Sequence, residues 1–428
     1  MVLGGQPPGR VGRRRFFAVR VGAAPEAALS RSPAYDRPVS EKPDREAGLE
    51  EALELIAELA ACPRRPCSYD ELAAGLRLRQ RLRSRGVNAR LEAFPSYQSF
   101  AAPYGLLIGL AVGSGLLPRR RRGLRSALSV GAAVGAVLEG EFRALSPGRL
   151  FERATSQNLV AEIEPSGEPA RTLCLLSHID SSRSGAMFDP RVTPHLGGVL
   201  AAVGVAFAVC GAEPLLRRSR PGRLSLALSR ALLAAAGALV AEREIRGVDV
   251  PGANDNASGV AATAVLAAEC AASPLRSTRV VLLVTGSEEA NVLGSRAYLE
   301  AHDTRGWLFL NFDGVGAPAE LHHLHREGGA LRKWEADSGL RKVAEGVSDS
   351  RPDLRLSGTD RSSGLPYDST PILARGGRAI TLTAQNGSIP NYHWPTDTAS
   401  RIDPDVLGRA LEAGREMIAA VDRGEADP

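Results

Sequence analysis

In RVVLLVTGSEEANVLGS (residues 279–295) an unbroken apolar run meets two adjacent carboxylates. A run without polar alternation reads as a strand buried on both faces, as in the interior of a parallel sheet. Glu288 and Glu289 then fall just past the carboxyl end of that strand, where open α/β sheets bind ligands. A surface glutamate pair rarely follows such a strand, so the pair reads as part of a site.

Working outward, further strands are expected at 88–94, 158–164, 172–178, 307–311 and 379–383. Helices are expected at 69–85, 257–272, 295–301, 331–345 and 404–421, with another over Leu49, Leu53, Ile56 and Leu59. Strands alternating with helices predict an α/β fold, a mainly parallel central sheet with helices on both faces.

Four more motifs sit beside these strands: SHID (177–180), PGANDNASG (251–259), NFDGVG (311–316) and NYHWPTDT (391–398). With Glu289 they give five candidate metal ligands: His178, Asp255, Glu289, Asp313 and His393. Two imidazoles and three carboxylates suit two Zn2+ ions if one carboxylate bridges them. Asp255, alone among its motif's residues in carrying a carboxylate, is the candidate bridge. One glutamate of the pair then binds metal and the other takes a proton from water, which leaves Glu288 as candidate base. Asp180 follows His178 at i+2 and is expected to accept the second N–H of that imidazole. Asp255 or Asn256 also suits the cap of the 257–272 helix. Trp394 can wall a pocket, and Asp397 supports either its own loop or His393. His322, His323 and His325 in ELHHLHREG read as an exposed strand face outside the metal set.

The formal net charge is +5, but 50 of the 53 basic residues are Arg and are spread along the chain. No basic stretch is interleaved with aromatics, so nucleic acid is not an expected partner. Five cysteines without a CxxC pair speak against a disulfide framework. Residues 1–44 read as a disordered tail. Pro25 and Glu26 stand where an export signal would carry its apolar stretch.

Residues 45–428 read as one discontinuous catalytic domain, interrupted at 95–141 and 191–246. Each interruption is apolar, then arginine-rich (RRRRGLR, 119–125; RRSRPGR, 217–223), then apolar. That pattern predicts two inserted helical hairpins with basic tips and membrane association through them, the alternative being hairpins packed on the catalytic domain or in a dimer interface. The positive-inside rule puts those tips in the cytoplasm and the enzyme outside. The missing signal and disulfides put the enzyme inside. Oligomeric state leaves no trace in the sequence.

PGANDNASG, SEEANVLGS and YHWPTDT, in this order, make the chain resemble the dinuclear-zinc aminopeptidases of metallopeptidase family twenty-eight. That family also takes in glutamate carboxypeptidase II and glutaminyl cyclase. The resemblance covers roughly 45–92, 142–190 and 248–422. It implies one zinc on His178, Asp255 and Asp313, a second on Asp255, Glu289 and His393, and Glu288 as general base. It implies removal of the amino-terminal residue of a peptide substrate. A related two-zinc hydrolase of N-acyl amino acids or dipeptides, a cyclising acyltransferase and an inactive membrane binding module are the alternatives. The second hairpin departs from the family pattern, since it is inserted between His178 and Asp255 and should rise from the rim of the site.

Overall fold

The computed structural model describes residues 45–329, 332–361 and 364–427, so the expected tail over 1–44 lies outside the described residues. The strands are β1 (Ala89–Ser96), β2 (Ala154–Ile163), β3 (Arg171–His178), β4 (Thr278–Thr285), β5 (Leu308–Phe312), β6 (Leu321–Leu324), β7 (Arg326–Glu327), β8 (Trp334–Glu335), β9 (Leu356–Thr359) and β10 (Arg378–Ala384). The helices are α1 (Arg45–Ala60), α2 (Tyr69–Ser84), α3 (Ala101–Leu116), α4 (Arg122–Gly140), α5 (Leu196–Gly211) and α6 (Glu213–Leu216). They continue with α7 (Arg220–Arg246), α8 (Gly259–Ala272), α9 (Leu293–Ala301), α10 (Ser338–Ser350), α11 (Thr370–Ala374) and α12 (Pro404–Asp422).

One eight-stranded sheet runs in the order β1-β2-β4-β3-β5-β10-β6-β9. Its middle, β4-β3-β5-β10, is parallel. Antiparallel pairings occur at β1–β2, β2–β4 and β6–β10. The apolar runs explain the burial. In β3, Leu173 and Leu175 enter the core beneath α1, α8 and α12, while Cys174 and Leu176 enter a second core with Tyr298 of α9 and Ile372 of α11. Successive strand residues face opposite sides, so only a continuous apolar run fills both cores. Each such Leu or Val contributes about 1.5–3 kcal/mol by burial, which fixes the strand in place.

The expected helix over 331–345 instead begins at Ser338. Trp334 and Glu335 pair with β7, and the Asp337 carboxylate caps the helix by accepting from Leu340 N. Leu331 lies outside the described residues. The histidine strand also differs from expectation: β6 lies inside the sheet between β10 and β9, and His323 is buried. Burial, with the neighbouring His325, lowers His323 to about 4, so it is neutral at ordinary pH.

The two inserted hairpins, α3–α4 and α5–α7, pack on each other as a four-helix bundle. Leu107, Ala111, Ala136, Phe207 and Leu233 fill its centre. Small residues let the helices approach closely. A Cβ on Gly135 would lie 2.5 Å from Leu107 Cδ2, and one on Gly211 would lie 2.7 Å from Ala133 Cβ. Arg230, which interrupts the last apolar run, turns inward: its guanidinium donates to Ala111 O and to the hydroxyls of Ser114 and Ser129.

The second insertion leaves the sheet through a closed neck. Ser184 N donates to Val248 O and Val250 N to Ser182 O. Arg64, fully buried, ties both sides of that neck to α1. Its guanidinium donates to Ile179 O at 2.8 Å, Pro251 O at 2.8 Å and Gly252 O at 2.9 Å. The neck brings His178 and Asp255 together although the bundle separates them in the chain.

Candidate active site

His178 ends β3, in register with Thr285 at the end of β4, and Asp313 directly follows β5. Three neighbouring parallel strands thus deliver their terminal residues to one edge of the sheet. Asp255 arrives from the turn before α8. The local hydrogen bonds explain why this residue, rather than a neighbour, faces the cleft. Asn256 Oδ1 accepts from Gly259 N in the first turn of α8 and from Gly314 N, while its amide donates to Phe312 O. Asn254 Oδ1 accepts from Gly316 N. Asn256 therefore takes the cap role, and Asp255 is left to project.

Distances close the cluster. His178 Nε2 lies 3.3 Å from Asp255 Oδ1 and 3.7 Å from Asp313 Oδ2. His393 Nε2 lies 3.1 Å from Asp255 Oδ2 and 3.2 Å from Glu289 Oε1. All five sequence-predicted ligands are thus brought into two triads that share Asp255, each with donor atoms within 4.8 Å of one another. Their side chains are only 2–6% exposed, against 11% for Glu288, which is the open side of the cluster.

The donor set fits cations. Asp255 Oδ2, Glu289 Oε1 and His393 Nδ1 are buried without a hydrogen bond, a costly state for polar atoms unless a further partner is bound. Burial depresses the His393 imidazole, yet Glu289 and Asp255 beside it raise it to about 9. A site that draws a proton this strongly is built for positive charge. Carboxylate oxygen and imidazole nitrogen are the donors zinc takes.

The glutamate pair is held by its backbone. Ser287 N donates to Glu71 Oε1 at 2.9 Å, and Glu288 N and Glu289 N donate to the two oxygens of Asp180 at 3.0 Å each. This alters the expected role of Asp180: the ring nitrogen of His178 faces the Asp180 backbone carbonyl at 3.1 Å, and its carboxylate oxygen at 3.7 Å. The carboxylate mainly orients the glutamates. Glu288 Oε2 reaches to 4.0 Å from His178 Nε2. Burial pushes the Glu288 carboxyl well above the usual range, with Glu289, Asp368 and Asp313 adding to it and His178 opposing.

Asp397 supports neither His393 nor a plain turn. It accepts from Asn254 N at 2.8 Å and Asp255 N at 3.0 Å, so one motif braces another. Burial raises it to about 7 against those two bonds. The ring packing on His393 comes from Tyr392 (3.9 Å between centroids) and Phe188 (4.3 Å), with Trp394 half-buried beside them. His393 itself has φ of 49°, a left-handed conformation that costs a non-glycine residue about 1–3 kcal/mol.

Four residues that matter here carried no signal in the sequence reading. They are Arg64 at the neck, Glu71 under Ser287, Asn158, which accepts from Gly286 N, and Asp368, which accepts from Thr285 Oγ1. Burial, together with Asp180, lifts Glu71 to about 8. All four act on distant backbone or hydroxyl groups, and such bonds leave no periodic trace. His322, His323 and His325 join neither triad. His322 instead lines an open surface cavity of about 650 Å³ with Glu320, Arg361 and Arg409.

Residues 240–418 match the model of Peptidase family M28. That stretch of the chain is similar to an M28 peptidase domain. The matched span starts in the last turns of α7 and takes in Asp255, Glu288, Glu289, Asp313 and His393, with β3 and His178 ahead of it. A probable lipoprotein aminopeptidase of Mycobacterium tuberculosis is 28% identical over a stretch covering 37% of each chain. The chain thus spans little more than a third of that relative's length. Among solved structures, the zinc aminopeptidase BSAP from Bacillus subtilis superposes with a TM-score of 0.53 at 14% identity, covering 87% of this chain and 94% of that one. The aminopeptidase of Aneurinibacillus sp. strain AM-1 gives 0.51 at 15% identity, covering 87% and 93%. A glutaminyl cyclase from Bacteroides thetaiotaomicron gives 0.50 at 15% identity, covering 87% and 97%. At these identities the likeness to all three is one of fold.

Proposed function

We propose that this protein is a zinc-dependent exopeptidase of aminopeptidase type that uses two zinc ions and acts on peptides at a membrane surface. One observation carries the reading: the two carboxylate oxygens of Asp255 face different histidines, one from the end of β3 and one from the loop before α12. His178, Asp255 and Asp313 would hold one ion, and Asp255, Glu289 and His393 the other. Zinc bound there supplies Lewis acidity toward a scissile carbonyl and brings the pKa of a water molecule toward about 7. Glu288 takes the proton from that water and passes it to the leaving amine. Its raised pKa suits a group that must both accept and return a proton. Asp180 and Glu71 keep it aimed by holding the backbone on which it sits.

The membrane half of the proposal rests on the bundle. Thr193–Gly211 and Arg220–Arg246 are long and apolar enough to cross a bilayer, whereas Ala101–Leu116 is shorter. Apolar side chains stand on the outside of the bundle, among them Val134 at 52%, Val205 at 59% and Leu228 at 63% exposure. Lipid would cover them, with the arginine tips at headgroup level. The bundle is rooted at the site. Phe188, just beyond the neck, packs on His393, and Arg243 of α7 lies 6.0 Å from the Phe188 ring. Substrates on this reading are membrane-proximal or amphipathic peptides. Residues 45–428 would then act as one catalytic unit interrupted at 95–141 and 191–246.

Detergent-purified protein should hydrolyse chromogenic aminoacyl substrates, lose activity to background with a zinc chelator and regain it with zinc. Full activity after metal stripping would refute the catalytic half. Alkaline carbonate should leave the protein in the membrane pellet. Release to the supernatant would refute the membrane half alone.

A further inference from the structure

The loop that carries Glu288 and Glu289 is strained. Ser287, Asn291 and Val292 have φ of 53°, 112° and 50°, in the left-handed region that non-glycine residues hold only when their surroundings impose it. Four acceptors do the imposing. Asn158, Glu71 and Asp180 take the backbone N–H groups of residues 286–289. The fourth, Glu139, takes the side chain of Asn291: Asn291 Nδ2 donates to Glu139 Oε1 at 2.7 Å. The first three come from the sheet, α2 and the end of β3. Glu139 belongs to the last turn of α4, in the first inserted hairpin.

Glu139 is not a loose surface contact. It is fully buried, and its carboxylate also accepts from Tyr97 Oη at 3.2 Å, Gly148 N at 2.7 Å and Ser146 Oγ, with Arg296 Nη1 at 3.7 Å. Donors on every side hold both oxygens in one orientation, so the carboxylate offers Asn291 a fixed anchor. Asn291 is itself 8% exposed, and water does not easily replace the bond.

We propose that Glu139 is a positioning residue for the reaction. Through Asn291 it fixes the loop that aims Glu288 and Glu289, which makes the inserted bundle part of the catalytic scaffold as well as an anchor. The inference rests on the assignment of Glu288 and Glu289 made above. It gives the arrangement of α4 a direct mechanical route to the catalytic loop.

The hydrogen-bond pattern dictates the test. Asn291→Gly removes the amide while relieving the positive φ, so any loss reports the lost bond rather than new strain. It should lower kcat about tenfold, with KM and bound zinc unchanged, because misaimed catalytic groups cost turnover before binding. Asn291→Asp sets two carboxylates face to face and should lower kcat further. Adding Glu139→Gln to Asn291→Asp restores a donor–acceptor pair with reversed polarity, while Gly148 N and Ser146 keep their oxygen. The double variant should therefore be faster than Asn291→Asp alone, a recovery that a merely structural role does not produce. Wild-type kcat in Asn291→Gly, a loss confined to KM or zinc content, or no recovery in the double variant would overturn the proposal. Glu288→Gln measured alongside separates the claims. If it is inactive while the Asn291 variants are normal, only this inference fails; if it is active, the catalytic assignment fails.

Discussion

Glu288→Gln should keep its metal and lose about 10³-fold in kcat, with KM changed little. The substitution preserves the size of the side chain, and the Glu288 N–H to Asp180 bond does not involve it. What disappears is a carboxyl able to accept a proton and give it back. Glu288 makes the most exposed contact in the cluster and is not a member of either triad, so zinc content should be unaffected. Steady-state kinetics with metal analysis on the same preparation checks this. Turnover near that of the wild type would remove Glu288 from the mechanism, and loss of zinc would make it a ligand.

Asp255→Ala should have the second large effect: on the proposed two-zinc reading both ions should be lost together and turnover should fall to background. His178 and His393 each lose a carboxylate oxygen, at 3.3 and 3.1 Å, from a single residue. The turn itself should persist, because Asp397 grips the backbone N–H groups of 254 and 255 and Asn256 caps α8. The readout is thermal. Each zinc at a thousand times its dissociation constant stabilises the fold by about 4 kcal/mol, on the order of 5 °C in Tm for a domain of this size. The wild type should show that shift and Asp255→Ala should show none. A variant that kept one ion and half the shift would mean two independent sites rather than a shared carboxylate.

What the sequence disclosed follows from periodicity and strand ends. RVVLLVTG read as a doubly buried strand, and the carboxylates or imidazoles closing β3, β4 and β5 marked one edge of one sheet. Asp255 was legible as a candidate ligand because it is the one carboxylate of its motif, whereas its sequence left the cap open between Asp255 and Asn256. Long-range polar contacts were not legible. Arg64 at the neck, Glu71 under Ser287 and Asp397 under Asp255 bind main-chain atoms of remote segments, and no local spacing encodes such a bond. Trp334 pairing with β7 displaced the start of α10, and His323 is buried in a strand that looked polar. The two apolar hairpins were visible as composition. Their packing into one bundle, and the reach of Glu139 to Asn291 in the loop after β4, depended on tertiary contacts.

Anomalous diffraction at the zinc edge, from crystals of the wild-type protein, tests the central claim most directly. Two peaks should appear about 3.5–4 Å apart, with Asp255 between them, His178 on one and His393 on the other. A single peak, or none among these residues, would contradict the account.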